Sequence, residues 1–421
     1  MKPDKDGIRE KTVLLHIGTP KTGSTSIQRC LAGAHADRSL APLCYPLWRD
    51  DLFHHNRLTM LYRPHQELYG WVRQEFPSDD TDFRRERRKY RRFFFGELGS
   101  ARGAVISAED LCGLALPHVA QLRADLESVG YRRFHVVLYV RDPADFYLSR
   151  TQQVLNYPTG EPNSLLSREK FGAELTATTP QFLIEPNSFV YDFRRAAETW
   201  EHVFPGCLIV RAFPSGPHDD VVADFAELLE KVMGVSMSRQ RLRENSTLSA
   251  EAMQIVQDYR DAFWPDSHLR TADVQRLVSF LASSVEDVPQ TKPVLKEALA
   301  QQIRANHSED AEWLLSRYGV DLGIQNLTSA AATPGARRYR VDEIVQSVDP
   351  KIVHELLLRL VRSELGRPTS TRSLPMRAAA SVYQTIPLER RPQRLVSGLR
   401  SLRRRLRLRR RRFQRLRQGP R

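Results

Sequence analysis

The chain has 421 residues, 41% hydrophobic and 27% charged, long enough to bury a full core and too ordinary in composition for a disordered, collagen-like or membrane-embedded protein. Its formal charge of +14 is unevenly placed: residues 366–421 hold eighteen arginines, no lysine and one acid, Glu389, so this tail is +17 and residues 1–365 are −3. The body is near neutral, and the basic character belongs to an appendage.

The N-terminal MKPDKDGIREKT has no apolar leader, and no run of 18 apolar residues occurs, which predicts a cytoplasmic protein. The first apolar run, TVLLHIG from Thr12 to Gly18, reads as a buried strand entering a tight loop, with a helix from about Ser24. Arginines 84, 85, 87, 88, 91 and 92 form a run that reads as a solvated helix face or a cationic rim. Further strands are expected at AVIS (Ala104 to Ser107), FHVVLYV (Phe134 to Val140) and CLIVRAF (Cys207 to Phe213). Helical patterns lie between and after them, at Leu116 to Val129, Ala144 to Leu155, Phe189 to Val203 and Val221 to Met233. Strands separated by helices predict right-handed βαβ units and an α/β fold, a central parallel sheet with flanking helices, over residues 10–240.

From Leu242 to Leu365 strand-like runs give way to helical stretches at Ser249 to Trp264, Thr271 to Val285, Val294 to Tyr318 and Val341 to Leu365, which predict a helical subdomain over residues 241–365. Residues 366–392, with Pro368, Pro375, Pro387 and Pro392, read as a linker to the arginine-rich tail. The four cysteines have no metal-ligand spacing, and no metal site is expected.

The segment His16-Ile17-Gly18-Thr19-Pro20-Lys21-Thr22-Gly23-Ser24-Thr25-Ser26 joins a strand to a helix, an arrangement that presents backbone N–H groups and a helix N-terminus to an anion. Gly18 and Gly23 have the spacing of a Walker A loop, but Ser24 stands where that motif needs lysine, and the lysine comes earlier, at Lys21. An ordinary ATPase or GTPase is therefore disfavoured. Taken alone, the loop also fits a plain strand–turn–helix junction. A second strand delivers Arg141 to its C-terminal end, and a helix opened by Asp142-Pro143 places Ser149 two turns on; open parallel sheets bind ligands at that end.

HIGTPKTGSTSIQ and YVRDPADFYLSRTQQ together resemble the two nucleotide-binding segments of sulfotransferases that use 3′-phosphoadenosine 5′-phosphosulfate (PAPS). The family has a P-loop-like fold. Its first segment, close to PKxGTT, cradles the 5′-phosphosulfate, and its second, an Arg followed eight residues later by a Ser, holds the 3′-phosphate. The resemblance covers residues 11–234. It implies that Lys21 stabilises the leaving oxygen, that Thr22, Gly23, Ser24, Thr25 and Ser26 hold the phosphosulfate, and that Arg141 and Ser149 hold the 3′-phosphate. Glu109, just past strand AVIS, is similar in placement to the catalytic glutamate of the carbohydrate-modifying branch, which makes it the candidate general base. Its alternative role is a carboxylate beside a helix N-terminus; for Arg141 the alternative is a surface ion pair with Asp142 or Asp145. His16 reads as a core histidine, and His54, His55 and Asn56 are reserve candidates for the base. The Thr-Thr pair of the consensus is Ser24-Thr25 here. The glycine-rich third segment of the cytosolic small-molecule branch has no counterpart after Gly234.

The implied acceptor is a hydroxyl of a carbohydrate or glycolipid. Competing functions are a nucleotide or small-molecule kinase with a variant loop and an inactive nucleotide-binding body. In the tail, Leu395, Leu399, Leu402, Leu406, Phe413 and Leu416 form one apolar stripe among arginines, which reads as a peripheral anchor on an anionic membrane, ahead of nucleic acid, with a disordered solubilising end as the plain alternative.

Overall fold

The computed structural model describes residues 10–48, 53–68, 72, 75–76, 78–156, 192–214, 220–237, 248–263, 271–283, 288, 291–324 and 341–365. The linker and tail lie outside these residues. Five strands, β1 (Lys11–His16), β2 (Leu43–Cys44), β3 (Gly103–Ser107), β4 (Tyr131–Val140) and β5 (Leu208–Ala212), form one all-parallel sheet in the order β2-β3-β1-β4-β5. The fold is α/β, as the alternation of strands and helices predicts.

Central strands of such a sheet are covered on both faces, so they are apolar without alternation. Val13, Leu14 and Leu15 of β1 and Val136 to Val140 of β4 are fully buried. On one face Leu14, Val105, Val137 and Tyr139 pack with Ile27 and Leu31 of α1 (Ser24–Ala36) and with residues Phe225 and Leu229 further along the chain. The helices that follow in order are α2 (Thr81–Ser100), α3 (Leu116–Ser128), α4 (Pro143–Asn156), α5 (Phe193–Val203) and α6 (Val221–Met233), the last carrying Phe225 and Leu229. Trp200 of α5 is fully buried, stacks on Phe204 and donates its Nε1–H to the Leu111 carbonyl at 3.3 Å, which satisfies its polar edge.

Several expectations are refined. Strand β4 begins at Tyr131, three residues before Phe134, because the exposed Arg132 and Arg133 interrupt the apolar pattern but not the ladder. The two-residue β2 carries no readable periodicity; it lies so close to β3 that a Cβ on Gly103 would meet Leu43 Cδ2 at 2.6 Å. The arginine run belongs to α2, opened by Asp80, whose side chain accepts from the N–H groups of Asp82 and Phe83.

The chain divides into two compact units. The first holds the sheet and also takes in α9 (Glu297–Asn306) and α10 (Ser308–Tyr318), which interrupt the expected 294–318 stretch at His307. These two helices lie inside the range expected as a separate subdomain. Ion pairs join them to the sheet unit, Arg304 to Asp142 at 2.8 Å and Arg194 to Asp310 at 3.4 Å. The second unit contains α7 (Ala250–Phe263), α8 (Thr271–Ser283), the short α11 (Val341–Ile344) and α12 (Pro350–Leu365). The expected 341–365 helix breaks because Ser347 adopts φ 54° and Pro350 opens a new helix, where its missing N–H costs nothing. Within this unit the buried Glu251 carboxylate accepts from the N–H groups of Thr291 and Asp349, at 3.1 and 3.2 Å. Among the described residues no helix is long and apolar enough to cross a membrane. All four cysteines are free; Cys30 is buried and the others are half-buried.

Candidate active site

Strand order fixes where a site can form. β1 lies between β3 and β4, so the loops leaving the C-terminal ends of all three are neighbours, at the place where the chain's progress across the sheet reverses. The loop after β1 is folded by three left-handed residues, Gly18 (φ 77°), Lys21 (φ 65°) and Gly23 (φ 72°). Glycine is required at both ends. A Cβ on Gly18 would lie 2.7 Å from Glu109 Cα, and one on Gly23 would lie 2.5 Å from Val221 Cγ1. Thr19 anchors the loop to β4 through Oγ1 to the Tyr139 carbonyl at 3.0 Å, and the buried Thr22 donates its hydroxyl to the Thr19 carbonyl at 2.6 Å. The Thr22 side chain therefore holds the loop, which leaves Thr22 its backbone N–H for a ligand.

Gly23 caps α1 without a side-chain bond, and the first turn of α1 carries no acid. Ser24, Thr25 and Ser26 supply that turn, whose N–H groups have no intrahelical acceptors. Their dipoles point toward the loop and favour an anion.

Three of the predicted side chains converge here. Ser24 Oγ donates to Glu109 Oε2 at 2.5 Å, so the candidate base sits beside the loop after β1, on the 3-10 turn Glu109–Gly113 that follows β3. Arg141, at the end of β4, donates from Nη1 to the Lys21 carbonyl at 3.1 Å and lies over the Phe213 ring at 5.0 Å. It also makes a long ion pair with Asp145, at 3.8 Å. The half-buried Lys21 has its ammonium pushed below the ordinary lysine range, first by desolvation and further by Arg150 and Arg141, while Glu109 acts in the opposite direction. Ser149 is half-buried on α4, two turns from Arg141.

The histidines separate by geometry. His55 accepts from the Ser107 N–H at Nδ1 (2.9 Å) and donates from Nε2 to the Pro46 carbonyl (2.9 Å); burial holds its pKa down to about 3. Both nitrogens are occupied, so it braces β3 and is no base. His16 is a core histidine: fully buried, 2.7 Å from Ser107 Oγ through Nδ1, with its pKa lowered to about 3 by desolvation. His54 is different: desolvation lowers its pKa against the opposing charge of Glu109, and its Nδ1 accepts, weakly at 3.4 Å, from the Asn56 N–H.

Arg150, Phe213 and Arg304 were not singled out by sequence reasoning. Arg150 had a signal, since it directly follows Ser149 on the helix that Arg141 precedes. The others become neighbours only through tertiary packing. Among the described residues, no group of three or more His, Cys, Asp or Glu side chains could hold a metal ion. Residues 157–191 lie outside the described residues.

The arrangement is a parallel α/β fold compatible with a nucleotide-binding protein and consistent with a P-loop-like enzyme. Comparison with family models, curated proteins and solved structures finds no match, so no family is identified.

Proposed function

We propose that the chain is a PAPS-dependent sulfotransferase that transfers a sulfuryl group to a hydroxyl of a carbohydrate or glycolipid. The observation that carries this reading is the hydrogen bond from Arg141 to the Lys21 carbonyl, which brings together two residues 120 apart in sequence that the resemblance makes anion anchors. A nucleotide phosphorylated at both ends needs two such anchors. The resemblance of the two segments assigns the phosphosulfate to the Lys21 loop and the 3′-phosphate to Arg141 and Ser149.

In the transfer, the acceptor oxygen forms a bond to sulfur while the bond from sulfur to the bridging oxygen breaks. The bridging electron pair stays on the 5′-phosphate of 3′-phosphoadenosine 5′-phosphate, where the Lys21 ammonium and the α1 N–H groups stabilise the growing charge. The acceptor proton passes to Glu109, whose Oε2 is held by Ser24 and whose carboxylate keeps a second oxygen for the acceptor. The arginine tail supports a place at an anionic membrane surface, where a glycolipid acceptor would be found.

The test is nucleotide release from PAPS on addition of mixed glycan and glycolipid acceptors. Acceptor-stimulated release that disappears in Lys21→Ala is expected. Equal release by wild type and Lys21→Ala would overturn the assignment.

A further inference from the structure

A serine hydroxyl carries one O–H and serves one acceptor at a time. The resemblance gives the Ser24 hydroxyl to the phosphosulfate, whereas the structure gives it to Glu109, with Oγ 2.5 Å from Oε2. An ionised carboxylate and a phosphosulfate both accept only, so the two uses exclude each other. The surroundings of the pair fix Glu109 against β1 and its loop. The N–H of Ala108 donates to the His16 carbonyl at 3.0 Å and that of Cys112 to the Ile17 carbonyl at 3.2 Å, which ties the chain down on both sides of Glu109. Between these bonds Gly18 comes so close that a Cβ there would lie 2.7 Å from Glu109 Cα. The Glu109 backbone is therefore held, and the freedom that remains belongs to its side chain. Ser24, at the first position of α1 and only 3% exposed, removes that freedom through a bond shielded from water. Among the described residues the Glu109 carboxylate accepts no second hydrogen bond.

We propose that Ser24 is a positioning residue whose hydroxyl aims the Glu109 carboxylate at the acceptor, while its contribution to the nucleotide is its backbone N–H alone. The action is indirect: Ser24 touches Glu109, and Glu109 touches the acceptor hydroxyl. Ser24 keeps its own proton throughout, and the acceptor proton goes to the other carboxylate oxygen, Oε1. The loop that holds the sulfuryl donor thereby also sets the direction of the base. This inference rests on the sulfotransferase reading above.

Full-length protein is titrated calorimetrically with PAPS in the absence of acceptor, and nucleotide release from PAPS is followed with mixed glycan and glycolipid acceptors. Ser24→Ala should lower kcat about ten- to a hundredfold, the scale of losing one hydrogen bond to a charged group, with PAPS affinity unchanged. The decisive comparison is the double-mutant cycle with Glu109→Gln. Once the base is gone there is nothing to aim, so adding Ser24→Ala to Glu109→Gln should lower kcat no further, whereas a purely structural loss would appear in both backgrounds.

A wild type that neither binds PAPS nor releases nucleotide in response to acceptor would sink the sulfotransferase reading, and this inference with it. With that reading intact, an unchanged kcat in Ser24→Ala, a fall in PAPS affinity that accounts for its loss, or an equal loss of kcat in both backgrounds would each overturn the role of Ser24 alone. Should Ser24→Ala fail to fold, Ser24→Cys, close in size and a poor donor, is judged by the same criteria.

Discussion

Lys21 occupies the left-handed backbone region at φ 65°, a conformation that costs a non-glycine residue on the order of 1 kcal/mol and persists only where its surroundings impose it. Thr19, Thr22 and Arg141 impose it here, through hydrogen bonds on the loop and on the Lys21 carbonyl. Lys21→Ala should fold and bind nucleotide weakly while kcat falls about a thousandfold, the scale of losing one preorganised charge at a reacting oxygen. Because desolvation lowers the Lys21 pKa, its proton leaves at lower pH than from a free lysine. The alkaline fall of kcat/KM should therefore have its midpoint below 10.5 and should vanish in an active Lys21→Arg variant; a fall at or above the ordinary lysine value would contradict this. Glu109→Gln should lower kcat by about 10²–10⁴ with nucleotide affinity intact, the pattern of a lost general base. Gly18→Ala forces a Cβ onto Glu109 Cα at a left-handed φ, and a loss of about 2 kcal/mol in denaturant unfolding is expected. At this scale the sequence was most informative: Lys21, Glu109, Arg141 and the loop hydroxyls were legible because each follows a strand that can be read. His55 shows the limit, since its two bonds to Ser107 and Pro46 depend on a fold the local pattern does not encode.

Among the elements, the buried strands β1, β3, β4 and β5 were legible, since a parallel sheet demands continuous apolar runs. The edge strand β2 was not, because two residues cannot show a period. Breaks at His307 and Ser347 were also hidden, as both helical patterns continue across them. Asp142 illustrates how one side chain links element to site: it caps α4, the helix that carries Ser149 and Arg150. Asp142→Ala should lose about 1 kcal/mol through the missing cap, read as a lower thermal midpoint. If the midpoint does not move, the cap contributes nothing and α4 is held by its packing.

Over the whole molecule, the charge divides into a near-neutral body and a strongly basic tail, a feature plain in composition alone. Full-length protein should co-sediment with vesicles containing phosphatidylserine, less so as salt rises, and deletion of residues 366–421 should abolish this; undiminished sedimentation of the truncated chain would end the anchor idea. The site itself is a property of topology: β1 placed between β3 and β4 brings the Lys21 loop, Glu109 and Arg141 together, and only strand order, which local patterns leave open, decides that. The most direct measurement is calorimetric titration of the full chain with 3′-phosphoadenosine 5′-phosphate, set against ADP and against ATP with Mg²⁺. Tight binding of the 3′-phosphorylated nucleotide, lost in Arg141→Ala, is predicted. Preference for ATP with Mg²⁺, or binding of the 3′-phosphorylated nucleotide that is indifferent to Arg141→Ala, would contradict the account.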